Sequence, residues 1–257
     1  MFSERQMMLK EKIKDCLRAK FRSYKKPETN NMPFHHRLLG KDRMALFSFI
    51  QSLNTTFGTS FYEPVAIALA RGRFKVAETQ VKSFNRISTD AQQQIQTIID
   101  ELVIADREVN KPVETEEIRT VCQTGDLKTV KLTQVDVWLE NYEGELFLID
   151  LKTVKPNKGD FQKFKRTLLE WTAAELAKDP EVVVNTMIGI PYNPYEPKPY
   201  ERWTLKGMLD LQHETLVAEE LWDFIGGEGT YVDLLDAFEM AGIELRDEID
   251  NYFEKFR

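Results

Sequence analysis

Two cysteines in 257 residues leave no room for a disulfide framework. Cys16 and Cys122 are also too far apart in sequence to suggest a zinc site, so a reducing cytoplasm is the expected compartment. Histidine occurs three times, as His35, His36 and His213. That excludes a His-rich metal centre or an HNH-like nuclease core, and the His35-His36 pair reads as a surface loop that could touch phosphate. No apolar run approaches the length needed to span a bilayer, and the charged start is unlike a signal peptide. There is no internal repeat and no low-complexity tract. What is present is ordinary for a globular protein, with 42% hydrophobic and 30% charged residues. The length suits one sizeable domain, or one core with a helical annex.

Positive charge is also in deficit. The net charge of −7 argues against generic affinity for nucleic acid. Its distribution is more informative than its sum. Residues 1–45 carry 12 Lys and Arg against 5 Asp and Glu, whereas residues 209–257 carry 3 against 14. The polarity is compatible with one DNA-facing and one solvent-facing side, and equally with solvated helices of opposite charge.

The most informative stretch runs from Thr133 to Thr153. Val135, Val137 and Leu139 alternate with Asp136, Trp138 and Glu140, the period of a strand with two faces. Leu146 to Ile149 is an unbroken apolar run, as in a strand buried on both sides. Asn141-Tyr142-Glu143-Gly144 joins them as a hairpin. Asp150 and Lys152, two residues apart, project from one face, with Leu151 opposite. A five-residue loop, Asn141 to Glu145, would set Asp136 directly across from Asp150; a four-residue loop would make them diagonal. Either register leaves the carboxylates within about 4.5–8 Å at Cβ. Asp150 follows four apolar residues and so needs a compensating partner.

Two carboxylates and an ammonium in one small site suit Mg²⁺, a hard ion that takes oxygen ligands and keeps several waters. The Leu151 carbonyl is a plausible further ligand. Such a site activates water beside a phosphodiester, with Lys152 orienting or deprotonating that water or stabilising the transition state. The competing interpretation is a surface hairpin with a strand-end salt bridge. Asp126-Leu127-Lys128 is a second copy of the pattern, but Gly125 and Thr129 flank it and no hydrophobic strand leads into it, so it reads as a turn.

Helical periodicity is expected over Met1 to Arg22 (Met8, Ile13, Leu17, Phe21), Lys41 to Leu53, Ala91 to Ala105 and Asp160 to Leu176. Val217 to Phe224, Tyr231 to Met240 and Arg246 to Phe256 complete the helices. Lys25 to Pro33 reads as a linker, and Pro191 to Pro199 as a rigid connection. Thr79 to Phe84 is a short strand, and Val182 to Ile190 a buried one. Ser60-Phe61-Tyr62-Glu63 has the spacing of a capping box ahead of Pro64 to Ala70. Beyond Lys152, a basic cluster of Lys155, Lys158, Lys163, Lys165 and Arg166 could contact phosphates flanking a cut, or could be an exposed helix face. Gln162 could orient phosphate or water.

Asp136, thirteen residues, then Asp150-Leu151-Lys152 on a hydrophobic strand resembles the PD-(D/E)XK nuclease motif, with Val135 in place of the usual proline. The flanking stretches Phe47 to Pro64 and Ile190 to Pro197, with Trp222 to Gly227 after them, resemble the TdeIII/MjaII group of type II restriction endonucleases over residues 35–257. The resemblance implies an α/β (α+β) restriction-endonuclease-like core, a mixed central sheet flanked by helices, with helical extensions at both ends. Its expected boundaries are a basic helical arm, 1–40, and a catalytic domain, 41–257, whose acidic helical part begins near 209.

It further implies Mg²⁺-dependent cleavage of double-stranded DNA at GGNCC-type sites by a homodimer, with a cognate methyltransferase as functional partner. Asp136, Asp150 and Leu151 would hold the metal. In related nucleases a helix ahead of the core often supplies another acidic residue, and Glu63 occupies that place; its alternative is the capping-box role. For a GC-rich target, Arg202 and Lys206 are candidate base readers, or salt-bridge partners of Glu201 and Asp210. The apolar positions of the C-terminal helices suit either a dimer interface or intramolecular packing. The rival functions are a repair or recombination nuclease of the same fold, and a DNA-binding protein that has lost the chemistry.

Overall fold

The computed structural model describes residues 3–24, 32–152, 160–200 and 207–254. The chain forms two compact units, one of Ala66–Gly226 and one assembled from both ends, Met1–Val65 with Gly227–Arg257. This division differs from an arm ending at residue 40, because the first three helices share a unit with the last two.

The first unit is built on a five-stranded sheet in the order β1 (Val76–Val81), β4 (Val135–Glu140), β5 (Leu146–Leu151), β6 (Val184–Ile190), β7 (Thr215–Val217). β4 runs antiparallel to both β1 and β5, and β5, β6 and β7 run parallel. A small separate ladder pairs β2 (Arg86–Ser88) with β3 (Leu127–Thr129). The helices of this unit are α5 (Thr89–Val103), α6 (Lys111–Val121), α7 (Phe161–Lys178) and α8 (Glu219–Gly226).

The expected strand patterns are realised. Val135, Val137 and Leu139 are fully buried while the alternating Asp136, Trp138 and Glu140 are half-buried. In β5, Leu148, Ile149 and Asp150 are all buried, so both faces of that strand are covered. Ile95, Ile98, Ile99 and Leu102 of α5 and Leu168, Leu169 and Trp171 of α7 form one core with Leu148 and Ile188. The opposite face needs a glycine. A Cβ on Gly189 would come within 2.9 Å of both Ile149 Cγ2 and Leu151 Cδ2 and 3.1 Å of Leu221 Cδ1, so the bare backbone lets α8 pack closely there.

Two expectations in this unit are corrected. Leu127–Thr129 is strand rather than turn, because its edge hydrogen-bonds to Arg86–Ser88. The first strand begins at Val76, three residues earlier than its pattern suggested, and Lys75 donates to the Glu140 carbonyl just beyond it. Helix α6 was not anticipated; the Asn110 side chain caps it by accepting from the Val113 amide at 3.1 Å.

The second unit comprises α1 (Glu4–Ser23), α2 (Pro33–Leu39), α3 (Lys41–Phe57), a π-helical stretch Gly58–Tyr62 that runs on into the start of α4 (Glu63–Ala70, whose residues from Ala66 belong to the first unit), α9 (Thr230–Glu244) and α10 (Arg246–Glu254). No capping box forms at Ser60, since the π turn carries the helix straight through and Glu63 donates its backbone N–H to the Gly58 carbonyl. Burial outweighs the cap here. Phe61 is 1% exposed and packs its ring against Phe57 and Phe238, with centroids 5.8 and 5.1 Å away. The buried stripe of α1 is Leu9, Ile13, Cys16 and Lys20, displaced from the Met8, Leu17 and Phe21 positions its periodicity suggested.

The opposite charges of the two chain ends meet one another. Glu244 lies 2.5 Å from Lys10 and 2.7 Å from Lys14; Arg18 reaches Glu248 at 2.6 Å and Arg5 reaches Asp233 at 2.7 Å. Lys10 and Lys14 hold the Glu244 carboxyl down at about 2. Much of the basic arm thus neutralises acidic helices of its own unit, which neither interpretation of the charge polarity foresaw.

Candidate active site

The hairpin loop is Asn141 to Glu145, the longer of the two loops considered. The Asn141 side chain accepts from the amides of Glu143 and Glu145 at 3.1 and 2.8 Å, and Gly144 supplies a φ of 86°. Val137 therefore pairs with Ile149 and Glu140 with Leu146, a register that continues to Asp136 opposite Asp150. The carboxylates lie side by side on the sheet face that carries Leu148 and Ile188.

Each member of the cluster is held by a different part of the fold. Asp136 Oδ2 accepts the Leu151 backbone N–H at 2.8 Å, and its Oδ1 accepts from the Gln80 side chain at 3.1 Å. Asp150 is only 3% exposed, and Lys152 Nζ donates to its Oδ1 at 2.5 Å. The Lys152 backbone is pinned by the Gly189 carbonyl at 2.9 Å. Its ammonium, on a side chain 26% exposed, also lies 5.0 Å from the centroid of the Phe164 ring of α7.

Burial pushes the Asp150 carboxyl up to about 7; the Lys152 charge and hydrogen bond oppose that shift, and the facing Asp136 carboxylate adds to it. When both are ionised, two carboxylates at this spacing carry more negative charge than one lysine balances, which is the state that burial and mutual repulsion disfavour without a cation. The donor set is all oxygen, and a divalent cation would offset the excess, so the residues fit Mg²⁺. Among the described residues no group of three or more His, Cys, Asp or Glu side chains gathers as a metal site.

The remaining sequence candidates fall in different places. Gln162 and Lys163 are exposed in the first turn of α7. Arg166, half-buried, donates to the Gln96 side chain at 2.6 Å. Glu63 is buried at the start of α4, in the helical unit. Lys155, Lys158, Arg202 and Lys206 lie outside the described residues. The Asp126-Lys128 copy is an exposed ion pair at 2.9 Å, whereas Asp150 is buried.

Lys165 is a correction. Grouped with the surface lysines, it is instead completely buried and ion-paired with Glu114 and Glu214. Glu214 Oε2 is 2.7 Å from it, and Lys111 completes a quartet by donating to Thr186 at 2.7 Å and lying 3.5 Å from Glu214 Oε1. Spacing held the clue. Phe161, Lys165, Leu168, Leu169 and Thr172 share one face of the helix, and all are buried. Gln80 and Phe164 left no comparable signal, since each acquires its partner only through tertiary pairing.

The sequence model described as type II restriction endonuclease, HinfI, matches residues 1–242. The chain belongs to the HinfI family of type II restriction endonucleases. Among curated proteins it is 28% identical over 233 residues to the type II restriction enzyme MjaII of Methanocaldococcus jannaschii, covering 80% of this chain and 61% of that protein. It is 26% and 25% identical to the type II restriction enzymes HgiEI and HgiCII of Herpetosiphon aurantiacus, covering 84% of this chain and 79% and 80% of theirs. The match thus spans less than two thirds of the Methanocaldococcus enzyme. This HinfI-family chain has the mixed sheet flanked by helices that the resemblance implied. Among the described residues, no helix is long and apolar enough to cross a membrane.

Proposed function

We propose that this chain is a Mg²⁺-dependent type II restriction endonuclease that cuts both strands of duplex DNA at a GGNCC-type site. The observation that carries the proposal is the Asp136–Asp150 pair with Lys152 on Asp150 at 2.5 Å, in a chain of the HinfI family. Asp136, Asp150 and the Leu151 carbonyl would hold the ion, with Glu63 as a further acidic candidate. The ion would supply a more acidic attacking water and offset charge building on the phosphate.

The chain's own residues do the rest. Lys152, tethered to Asp150 and lying over Phe164, orients the water and takes or relays its proton. Asp136 keeps the Leu151 peptide in place through its N–H. Gln162, Lys163 and Arg166 on α7, and Lys155 and Lys158 ahead of it, are proposed phosphate contacts that set the duplex without reading it. Arg202 and Lys206 are proposed readers of guanine. A twofold target needs one such site per strand, so the acting species is a homodimer, working in the cytoplasm beside a methyltransferase that protects host DNA. The products carry 5′-phosphates.

Plasmid DNA incubated with the protein and Mg²⁺ tests this. Discrete fragments whose ends map to one site support it. A smear would mean a nuclease without strict sequence preference, and intact but gel-retarded DNA a binding protein; either would overturn the restriction assignment.

A further inference from the structure

Gln80 stands out once the carboxylate pair is in place. It sits in β1 opposite Asp136, and the ladder on either side of it is regular, with Thr79 paired to Val137 and Val81 to Val135. At Gln80 itself φ is 54°, the left-handed region that a long side chain rarely occupies inside a strand. Two contacts accompany the strained backbone. The Gln134 side chain donates to the Gln80 carbonyl at 2.9 Å, and the Gln80 side-chain amide donates to Asp136 Oδ1 at 3.1 Å. A strained residue on an exposed strand persists where something over-determines it, and such residues concentrate at functional sites.

We infer that Gln80 is a positioning residue that fixes the plane of the Asp136 carboxylate for cation binding. Asp136 is gripped from both flanking strands, by the Leu151 N–H on Oδ2 and by Gln80 on Oδ1. One N–H on each oxygen leaves each a lone pair for an ion, while rotation of the carboxylate is prevented. Without the amide, Asp136 is held by the Leu151 N–H alone, the carboxylate can swing about that one hydrogen bond, and the two carboxylates no longer present a fixed pair. The backbone strain is consistent with this. A residue serving only the strand would relax to φ below zero, whereas the left-handed turn accompanies the aim of the amide at Asp136. The inference rests on the metal-dependent function proposed above.

The test uses the full-length protein and Mn²⁺ as a paramagnetic substitute for Mg²⁺, with free ion followed by electron paramagnetic resonance. Gln80→Gly removes the amide while suiting the left-handed backbone, so the variant should fold with an unchanged or higher Tm. Its Mn²⁺ affinity should fall by about 10- to 100-fold, the usual effect of losing a residue that orients a ligand. Gln80→Asn retains a shorter amide and tolerates the same φ, so it should lie between. In single-turnover cleavage the rate should fall in the same order while KM for DNA stays constant. Wild-type Mn²⁺ affinity in Gln80→Gly overturns the inference. So does an equal loss of Tm and affinity in both variants, the mark of a purely structural role. Wild-type protein that takes up no Mn²⁺ removes the metal-dependent function and this inference with it. Wild-type protein that binds and cuts beside an unaffected Gln80→Gly removes this inference alone.

Discussion

Two clusters of charge lie in the sheet unit, and each joins carboxylates to lysine. In one, Lys111 and Lys165 face Glu114 and Glu214, two charges of each sign, and all four residues are 5% exposed or less. In the other, Lys152 is the one cation paired with the two facing carboxylates among the described residues, through Asp150, and its side chain is 26% exposed against 4% for Asp150. The ingredients are nearly the same. Balance and access differ, and they separate a structural brace from a site that can take a cation and a phosphodiester. A sealed, neutral quartet has nothing left to offer a ligand. An open cluster with excess negative charge does.

The comparison can be broken at several points. Lys152→Ala should lower single-turnover cleavage by about 10²–10⁴-fold, the range for a residue handling a proton at the reacting centre, with DNA retardation preserved. Full activity in that variant would remove Lys152 from the chemistry. Lys165→Met should do the reverse. It strands the buried Glu114 and leaves Glu214 with Lys111 alone, and should cost about 3–5 kcal/mol in urea unfolding, with cleavage per folded molecule preserved. A loss below about 1 kcal/mol, the scale of an exposed pair, would show that the quartet is no brace.

Phe164→Leu sharpens the contrast on the open side. It keeps an apolar contact but removes the ring under the ammonium, an interaction of about 0.5–1 kcal/mol at an exposed site, so cleavage should slow by roughly two- to fivefold. An unchanged rate would make the ring simple packing. The smallest effect is expected at the exposed clamp of the helical unit. Glu244, depressed to about 2 from an ordinary 4.5, contributes stability above pH 4.5 that is lost as the pH falls towards 2. Lys14→Met removes one of the two lysines responsible. The decline of Tm over that acid window should become shallower, without effect on cleavage at pH 7; an unchanged decline would show the clamp to be inert.

How much of this was legible beforehand depended on the range of the interaction. The sequence by itself determined the hairpin, because strand period, an Asn-to-Glu loop and the Asp-x-Lys spacing are local and covalent in origin. They were enough to bring Asp136 near Asp150 in either register and to set Lys152 on the Asp150 face; the turn at Asn141 chose the register that puts the two carboxylates opposite each other. The capping spacing at Ser60 misled because its competitor, burial of Phe61 against Phe57 and Phe238, involves a residue about 180 positions away. A still longer separation hid the pairing of α1 with α9, where basic and acidic ends cancel. Lys165 looked like one more surface lysine until Glu114 and Glu214 were brought to it from α6 and from the residue ahead of β7. Gln80 looked like any polar strand residue until β1 was laid beside β4. Local spacing decides which groups can share a strand face. Only the tertiary structure decides which of them are sealed, which are balanced and which are held open, because burial and Coulombic pairing depend on neighbours the chain supplies from far away.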